Sequence, residues 1–117
     1  MRTIIAGSRD ITDPTIVARA VKASGFEVST VICGGAEGVD TLGEAWAKGL
    51  GLPVEYFLAK WQTHGKKAGP MRNQLMAQSA EALVAIPRQG SKGTWDMVRR
   101  AKLEGLKVYV FYVPSRR

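Results

Sequence analysis

Short runs of β-branched and apolar residues alternate along the chain with helix-length amphipathic stretches. That is the pattern of a parallel sheet whose strands are joined by crossover helices. Five runs read as strands: Thr3–Ala6, Val28–Cys33, Val54–Phe57, Ala82–Ile86 and Val108–Val113. The first, second, fourth and fifth show little polar alternation and are expected to be covered on both faces. A first helix is expected to start at Asp13-Pro14, with aspartate capping and proline at the first helical position. Its apolar stripe is Ile16, Val17, Ala20 and Val21, and Gly25 ends it. A second, from about Val39 to Leu50, turns Val39, Leu42, Ala45, Trp46 and Leu50 inward before Gly51 and Pro53 break it. A third, from about Pro70 to Ser79, is expected to bury Met71, Leu75 and Met76. A fourth, from about Thr94 to Glu104, is expected to bury Met97, Val98 and Ala101 ahead of Gly105. The order βαβαβαβαβ predicts the α/β class, and the least regular stretch is Leu58–Gly69.

At 117 residues, with 45% hydrophobic and 23% charged positions, the whole chain 1–117 is expected to bury one core as one domain; disordered and fibrous classes do not fit. Its single cysteine, Cys33, ends an apolar run and reads as a small buried hydrophobe. A cysteine–histidine nucleophile is disfavoured because the only histidine is His64, with no partner beside it in sequence. One histidine, one cysteine and scattered carboxylates predict no metal site, and no separate cofactor is expected. Arg2 leads straight into the first strand without a signal-peptide layout, and no run of about eighteen apolar residues exists, so a cytoplasmic protein with no membrane partner is expected.

Charge is divided unevenly. Residues 1–57 hold five Lys/Arg against seven Asp/Glu, whereas 58–117 hold twelve against three. The basic half suits an anionic partner, either a nucleotide-like molecule held by a few placed cations or a nucleic-acid backbone along a broad face. The final Ser115-Arg116-Arg117 reads as a solubilising tail.

In an open α/β sheet, ligands bind beyond the carboxyl ends of the strands, so the loops leaving strands are where chemistry is sought. Three stand out: Gly7-Ser8-Arg9-Asp10 after the first strand, Gly34-Gly35-Ala36-Glu37-Gly38-Val39-Asp40 after the second, and Pro87-Arg88-Gln89-Gly90-Ser91-Lys92-Gly93-Thr94 after the fourth. The latter two each open a helix. Glycine holds no side chain between a phosphate and the backbone N–H groups, and a helix start offers unpaired donors with partial positive charge. Either loop alone also reads as a tight turn. Neither has the spacing of a nucleotide triphosphatase loop, since Lys92 is followed by glycine.

Strand one with Ala6-Gly7-Ser8-Arg9-Asp10, the Gly34–Asp40 turn, Gly69-Pro70-Met71-Arg72-Asn73 and Gly90-Ser91-Lys92-Gly93-Thr94-Trp95-Asp96-Met97 together resemble the YspA/cpYpsA-related branch of the SLOG superfamily. The resemblance spans nearly the whole chain. It implies a Rossmann-like three-layer sandwich around a five-stranded, mainly parallel sheet of order 3-2-1-4-5, with a nucleotide or nucleotide-derived ligand at the glycine loops. The superfamily also contains nucleotide phosphoribohydrolases and the DNA-processing protein A family. The hydrolases carry Pro-Gly-Gly-x-Gly-Thr-x-x-Glu with a catalytic glutamate. Aligned on Gly93-Thr94, that position is Met97 here, and Asp96 lies about 100° away around the helix with a shorter side chain. The hydrolases also place an arginine where Arg72 stands.

The expected ligand-binding residues are therefore Gly7, Ser8, Arg9, Gly34, Gly35, Ala36, Gly38, Asp40, Arg72, Asn73, Gly90, Ser91, Lys92, Gly93, Thr94 and Asp96. Arg9, Arg72 and Lys92 are assigned to phosphate, Ser8 to neutral donation, and Asp40, Asn73 or Asp96 to ribose hydroxyls. Glu37 and Asp40 also read as favourable charges at a helix start. Trp61, in the basic stretch Lys60–Lys67, reads as a wall, a stacking platform for a base, or a packing residue.

Binding of a nucleotide or ADP-ribose-like molecule without turnover is the expected function, as sensor or sequestering protein, because the glutamate is missing. Two alternatives are a nucleoside 5′-monophosphate phosphoribohydrolase using Asp96 and Arg72, and a single-stranded nucleic-acid-binding protein. A homo-oligomer is expected from the small size and apolar helices.

Overall fold

A computed structural model describes residues 1–114; the expectation for Ser115-Arg116-Arg117 falls outside the described residues. The strands are β1 (Arg2–Gly7), β2 (Thr30–Cys33), β3 (Val54–Tyr56), β4 (Ala82–Ile86) and β5 (Lys107–Val110). The helices are α1 (Ile16–Ser24), α2 (Val39–Gly49), the short α3 (Trp61–His64) continued by a 3-10 turn at Gly65–Lys67, α4 (Ala68–Ser79) and α5 (Lys92–Leu103). The sheet has the order β3-β2-β1-β4-β5 and every pairing is parallel, with Ile4 opposite Ile32 and Leu83 across the central strand.

Alternation along the strands sorts side chains to the two faces. Ile5, Val31, Val84 and Ile86 point to one side and pack against Ile16, Val17, Ala20 and Val21 of α1 and Val39 and Ala47 of α2. Ile4, Ala6, Ile32, Leu83 and Ala85 point to the other and meet Met76 and Ala77 of α4 and Met97, Val98 and Ala101 of α5. This three-layer arrangement is Rossmann-like, and it sets α1 and α2 on one side of the sheet and α4 and α5 on the other.

Several local expectations change. Asp13 does not sit at the helix boundary: its carboxylate accepts from the Thr15 amide and hydroxyl at 2.9 and 2.7 Å, which leaves Pro14 in a turn and delays α1 to Ile16. The fifth strand lies at a sheet edge and is half-buried, not covered on both faces. Ala45 and Leu50 are exposed and Trp46 is half-buried, packed beside the core. In α4 only Met76 of the three expected residues is inside; Met71 is 44% and Leu75 54% exposed. No helix among the described residues is long and apolar enough to cross a membrane.

Candidate functional site

The carboxyl ends of β1, β2 and β4 open into one cleft of about 980 Å³, at the upper end of the volumes typical of small-molecule sites. Residues 7–9, 34–36, 40, 72–73, 90–94 and 96 all line it, so the structure brings together every expected ligand-binding residue except Gly38. Gly38 stands behind the cleft. Its φ of 73° is left-handed, and a side-chain carbon there would lie 2.6 Å from the backbone of Arg9, so glycine lets the start of α2 press against the loop after β1. Leu58, Ala59, Met76 and Met97 add an apolar part to the lining that the loop reading missed. Their signal was position: Leu58 and Ala59 follow the third strand as the glycine loops follow the others. Trp61 also lines the cleft, 58% exposed, with its ring against Gly69.

The turn after β2 is held in part by the protein's own side chains. The buried Asp40 carboxylate accepts from the amides of Gly34 and Ala36 at 3.1 and 3.3 Å, folding the loop onto the first turn of α2. Burial pushes the Asp40 carboxyl above its ordinary range, offset only in part by the Ala36 amide, the Arg72 charge, the Gly34 amide and the Arg9 charge. Arg72 donates through Nη1 to the Gly34 carbonyl at 2.8 Å, occupying the space a side chain at Gly34 would need. The amide of Val39 is taken by the Ser8 carbonyl at 3.2 Å. Side-chain carbons at its glycines would meet Arg72, Leu58 and the Arg9 backbone, and Asp40 clamps the loop through Oδ2, while the amides of Glu37 and Gly38 have no acceptor among the described residues.

Ser8, Asn73 and Asp96 are also engaged. The Ser8 hydroxyl donates to Asp10 and its amide to the Ile86 carbonyl, so it is not a free neutral donor. Buried Asn73 accepts from Arg72 Nε at 3.1 Å and donates to the Gly93 carbonyl at 3.2 Å and to Asp96 at 3.0 Å. Asp96 additionally accepts from Arg99 and Arg100, both at 2.9 Å. Burial works to raise the Asp96 pKa, but the hydrogen bonds from Asn73 and Arg100, the Arg100 charge and the bond from Arg99 outweigh it, and the net direction is down. A carboxylate held ionised by three donors is a weak base with no proton to give. Met97, where the hydrolases have glutamate, is buried. Glu37, at the exposed rim, is the carboxylate of the lining with no hydrogen-bond partner among the described residues. Buried Cys33 is inert, its thiol pushed up to about 11 chiefly by burial.

The loop after β4 is different. Ser91 donates its amide to Arg88 and Lys92 to Gly90, and the Ser91 and Thr94 hydroxyls share a bond of 2.9 Å. The amides of Gly93 and Thr94, in the first turn of α5, have no acceptor among the described residues, and a side-chain carbon on Gly93 would meet nothing within 4 Å. Arg9 and Lys92, both lining the cleft, form no ion pair among the described residues. Unpaired helix-start donors together with Lys92 make this end of the cleft suited to an anion, while Arg9 stands against Gly38 with its charge acting on Asp40. No group of three or more possible metal ligands occurs among the described residues.

Comparison with known proteins agrees with this architecture. In solved structures, DNA processing protein A from Streptococcus pneumoniae superposes with a TM-score of 0.72 over 93% of this chain, at 19% identity, which establishes a shared fold. This chain spans about half of that one, 49% of its length. The Gene 61 protein of Mycobacterium phage D29 is 34% identical over 120 residues, covering 94% of this chain and 95% of the relative. Residues 1–64, which carry β1, the loop after it, the Asp40-clamped turn and Trp61, match the model of the YspA, cpYpsA-related SLOG family, and the chain belongs to that family.

Proposed function

We propose that the protein binds a phosphorylated nucleoside or a nucleotide-derived molecule in this cleft and does not turn it over. The observation that carries the reading is the set of free donors at one end, the Gly93 and Thr94 amides with Lys92, open to a cavity that Arg9, Leu58 and Trp61 also line. A phosphate seats at the start of α5, and the base lies toward the apolar side, where the indole offers a stacking surface. The engagement of Asp96 and the buried methionine at position 97 support binding without hydrolysis. Titration with adenosine and guanosine 5′-monophosphates and ADP-ribose, with chromatography for released base, tests it. Saturable one-to-one binding with the base retained is expected, and Lys92→Ala and Arg9→Ala should each weaken it about tenfold. Released base would replace this reading by a phosphoribohydrolase, and absence of binding across the panel would overturn it.

A second reading, passage of single-stranded nucleic acid along the cleft, is favoured by Lys60, Lys66 and Lys67 around exposed Trp61. It also suits the likeness to a protein named for DNA processing. A plot of log affinity against log salt separates the two: a compact ligand gives a slope of about one or two, an extended backbone a steeper one.

A further inference from the structure

Strands β1 and β4 run side by side until the Ser8 amide donates to the Ile86 carbonyl at 3.0 Å, and beyond it the two chains part into separate loops. Those loops form one end of the cleft, with Ser8, Arg9 and Asp10 from the first and residues 89–94 from the second. Arg88 bridges them. Its Nη1 donates to Asp10 Oδ2 at 3.2 Å, and the Ser8 hydroxyl donates to the other oxygen of that carboxylate. The Asp10 side chain is 65% exposed and that of Arg88 only 19%, so the cation is the anchored member of the pair. Arg88 Nε is buried with no hydrogen-bond partner among the described residues. An unpaired buried donor is uncommon in folded proteins and destabilising, so its presence in a loop beside the cleft asks for a physical role.

We propose that Arg88 is a positioning residue for the anion end of the cleft, an inference that rests on a phosphate seating at the start of α5. Arg88 is not among the residues that line the cleft, so it acts through what it holds. Its side chain holds the loop after β1 by way of Asp10. Its backbone holds the loop after β4: the Arg88 carbonyl accepts from the Ser91 amide at 3.2 Å, and the Ser91 carbonyl accepts from the Trp95 amide at 3.1 Å in the first turn of α5. Pro87, just before it, is fixed from the other side by the Val113 amide, which donates to its carbonyl at 2.8 Å. One residue therefore sets the spacing between the loop that carries Arg9 and the loop that carries Lys92 and the free Gly93 and Thr94 amides. Its charge acts as well. Asp10 is a carboxylate in the lining at the end suited to an anion, and the guanidinium is the counter-charge that keeps it from repelling one. An exposed ion pair contributes little to stability, so the effect of Arg88 falls on where the loops stand and not on the fold as a whole.

Two measurements on the full chain separate the role of Arg88 from the nature of the ligand. The first needs no ligand: in Arg88→Ala, amide hydrogen exchange should quicken about tenfold in both segments 7–11 and 88–94 while β2 and α2 keep their protection. Asp10→Ala, at an exposed position where folding is not at stake, should quicken the same two segments. The second is titration with adenosine 5′-monophosphate and with adenosine. Arg88→Ala should weaken the monophosphate about tenfold and leave adenosine unchanged, a split that general loss of structure would not produce. The double variant Arg88→Ala with Asp10→Ala should be no worse than Arg88→Ala alone, because the two act as one unit. Unaltered exchange in the two segments, equal weakening of adenosine, or additive losses in the double variant would each overturn the proposal. A wild type that binds no nucleotide would overturn the reading of the cleft instead, and the exchange measurement would still decide whether Arg88 ties the loops.

Discussion

The two glycine turns on this sheet edge look alike in sequence and do opposite things. In the turn after β2, missing side chains make room for the protein itself: Arg72 at Gly34, Leu58 at Gly35, the Arg9 backbone at Gly38. In the turn after β4, Gly90 and Gly93 have nothing within 4 Å of where a side-chain carbon would sit. Two of the first turn's amides end on Asp40, while those of Glu37 and Gly38, like those of Gly93 and Thr94 in the other turn, have no acceptor among the described residues. A glycine-rich loop therefore signals close approach, and what approaches can be the chain's own side chains as readily as a phosphate.

The sharpest way to break this contrast is to fill both turns. Gly38→Ala should cost about 3 kcal/mol in denaturant unfolding, through the left-handed backbone and the collision with Arg9, while Gly93→Ala should leave stability unchanged within about 0.5 kcal/mol. Equal losses would mean that the two turns are structurally equivalent.

Next come the two carboxylates. Asp96→Asn should cost about 2 kcal/mol at neutral pH by removing charge-assisted bonds to Arg99 and Arg100. Its pKa is lowered in the fold, so its contribution is present above the ordinary carboxylate range and lost as pH falls through the folded value. The loss on substitution should shrink at pH about 3. Asp40 is shifted the other way, so its contribution is full below the ordinary carboxylate value and lost as pH rises through the folded one. Asp40→Asn should accordingly cost more in acid than at neutral pH, and unfolding curves at both pH values should give opposite trends for the two variants.

The smallest expected effect concerns ligand alone. A methyl at Gly93 projects into open space beside the free amides, so Gly93→Ala should weaken nucleoside monophosphate binding about tenfold in calorimetric titration while the melting temperature holds. Undiminished affinity would move the phosphate away from α5.

The sheet and its crossover helices were readable because the strand runs are short, apolar and separated by amphipathic stretches. Sheet order came through resemblance, since local periodicity carries no information about which strands are neighbours. Periodicity failed at α4 for a physical reason: Met71, Leu75 and Met76 are equally apolar, and only contact with Ile4 and Leu83 decides that Met76 goes inside. The α3 turn left no pattern because none of its residues is buried. Membership of the cleft followed from position after a strand. Availability did not, because it depends on partners distant in the chain, such as Arg72 with the Gly34 carbonyl and Asn73 with Gly93.

Asn73 has a further consequence. One carboxamide ties Arg72, the Gly93 carbonyl and Asp96 together, joining the second turn of α4 to the start of α5 beneath the cleft. On the proposed reading the walls are thereby preorganised, and little of a ligand's binding energy would go into ordering the receptor. Recognition here should be fast and nearly rigid-body, with selectivity residing in shape and not in closure.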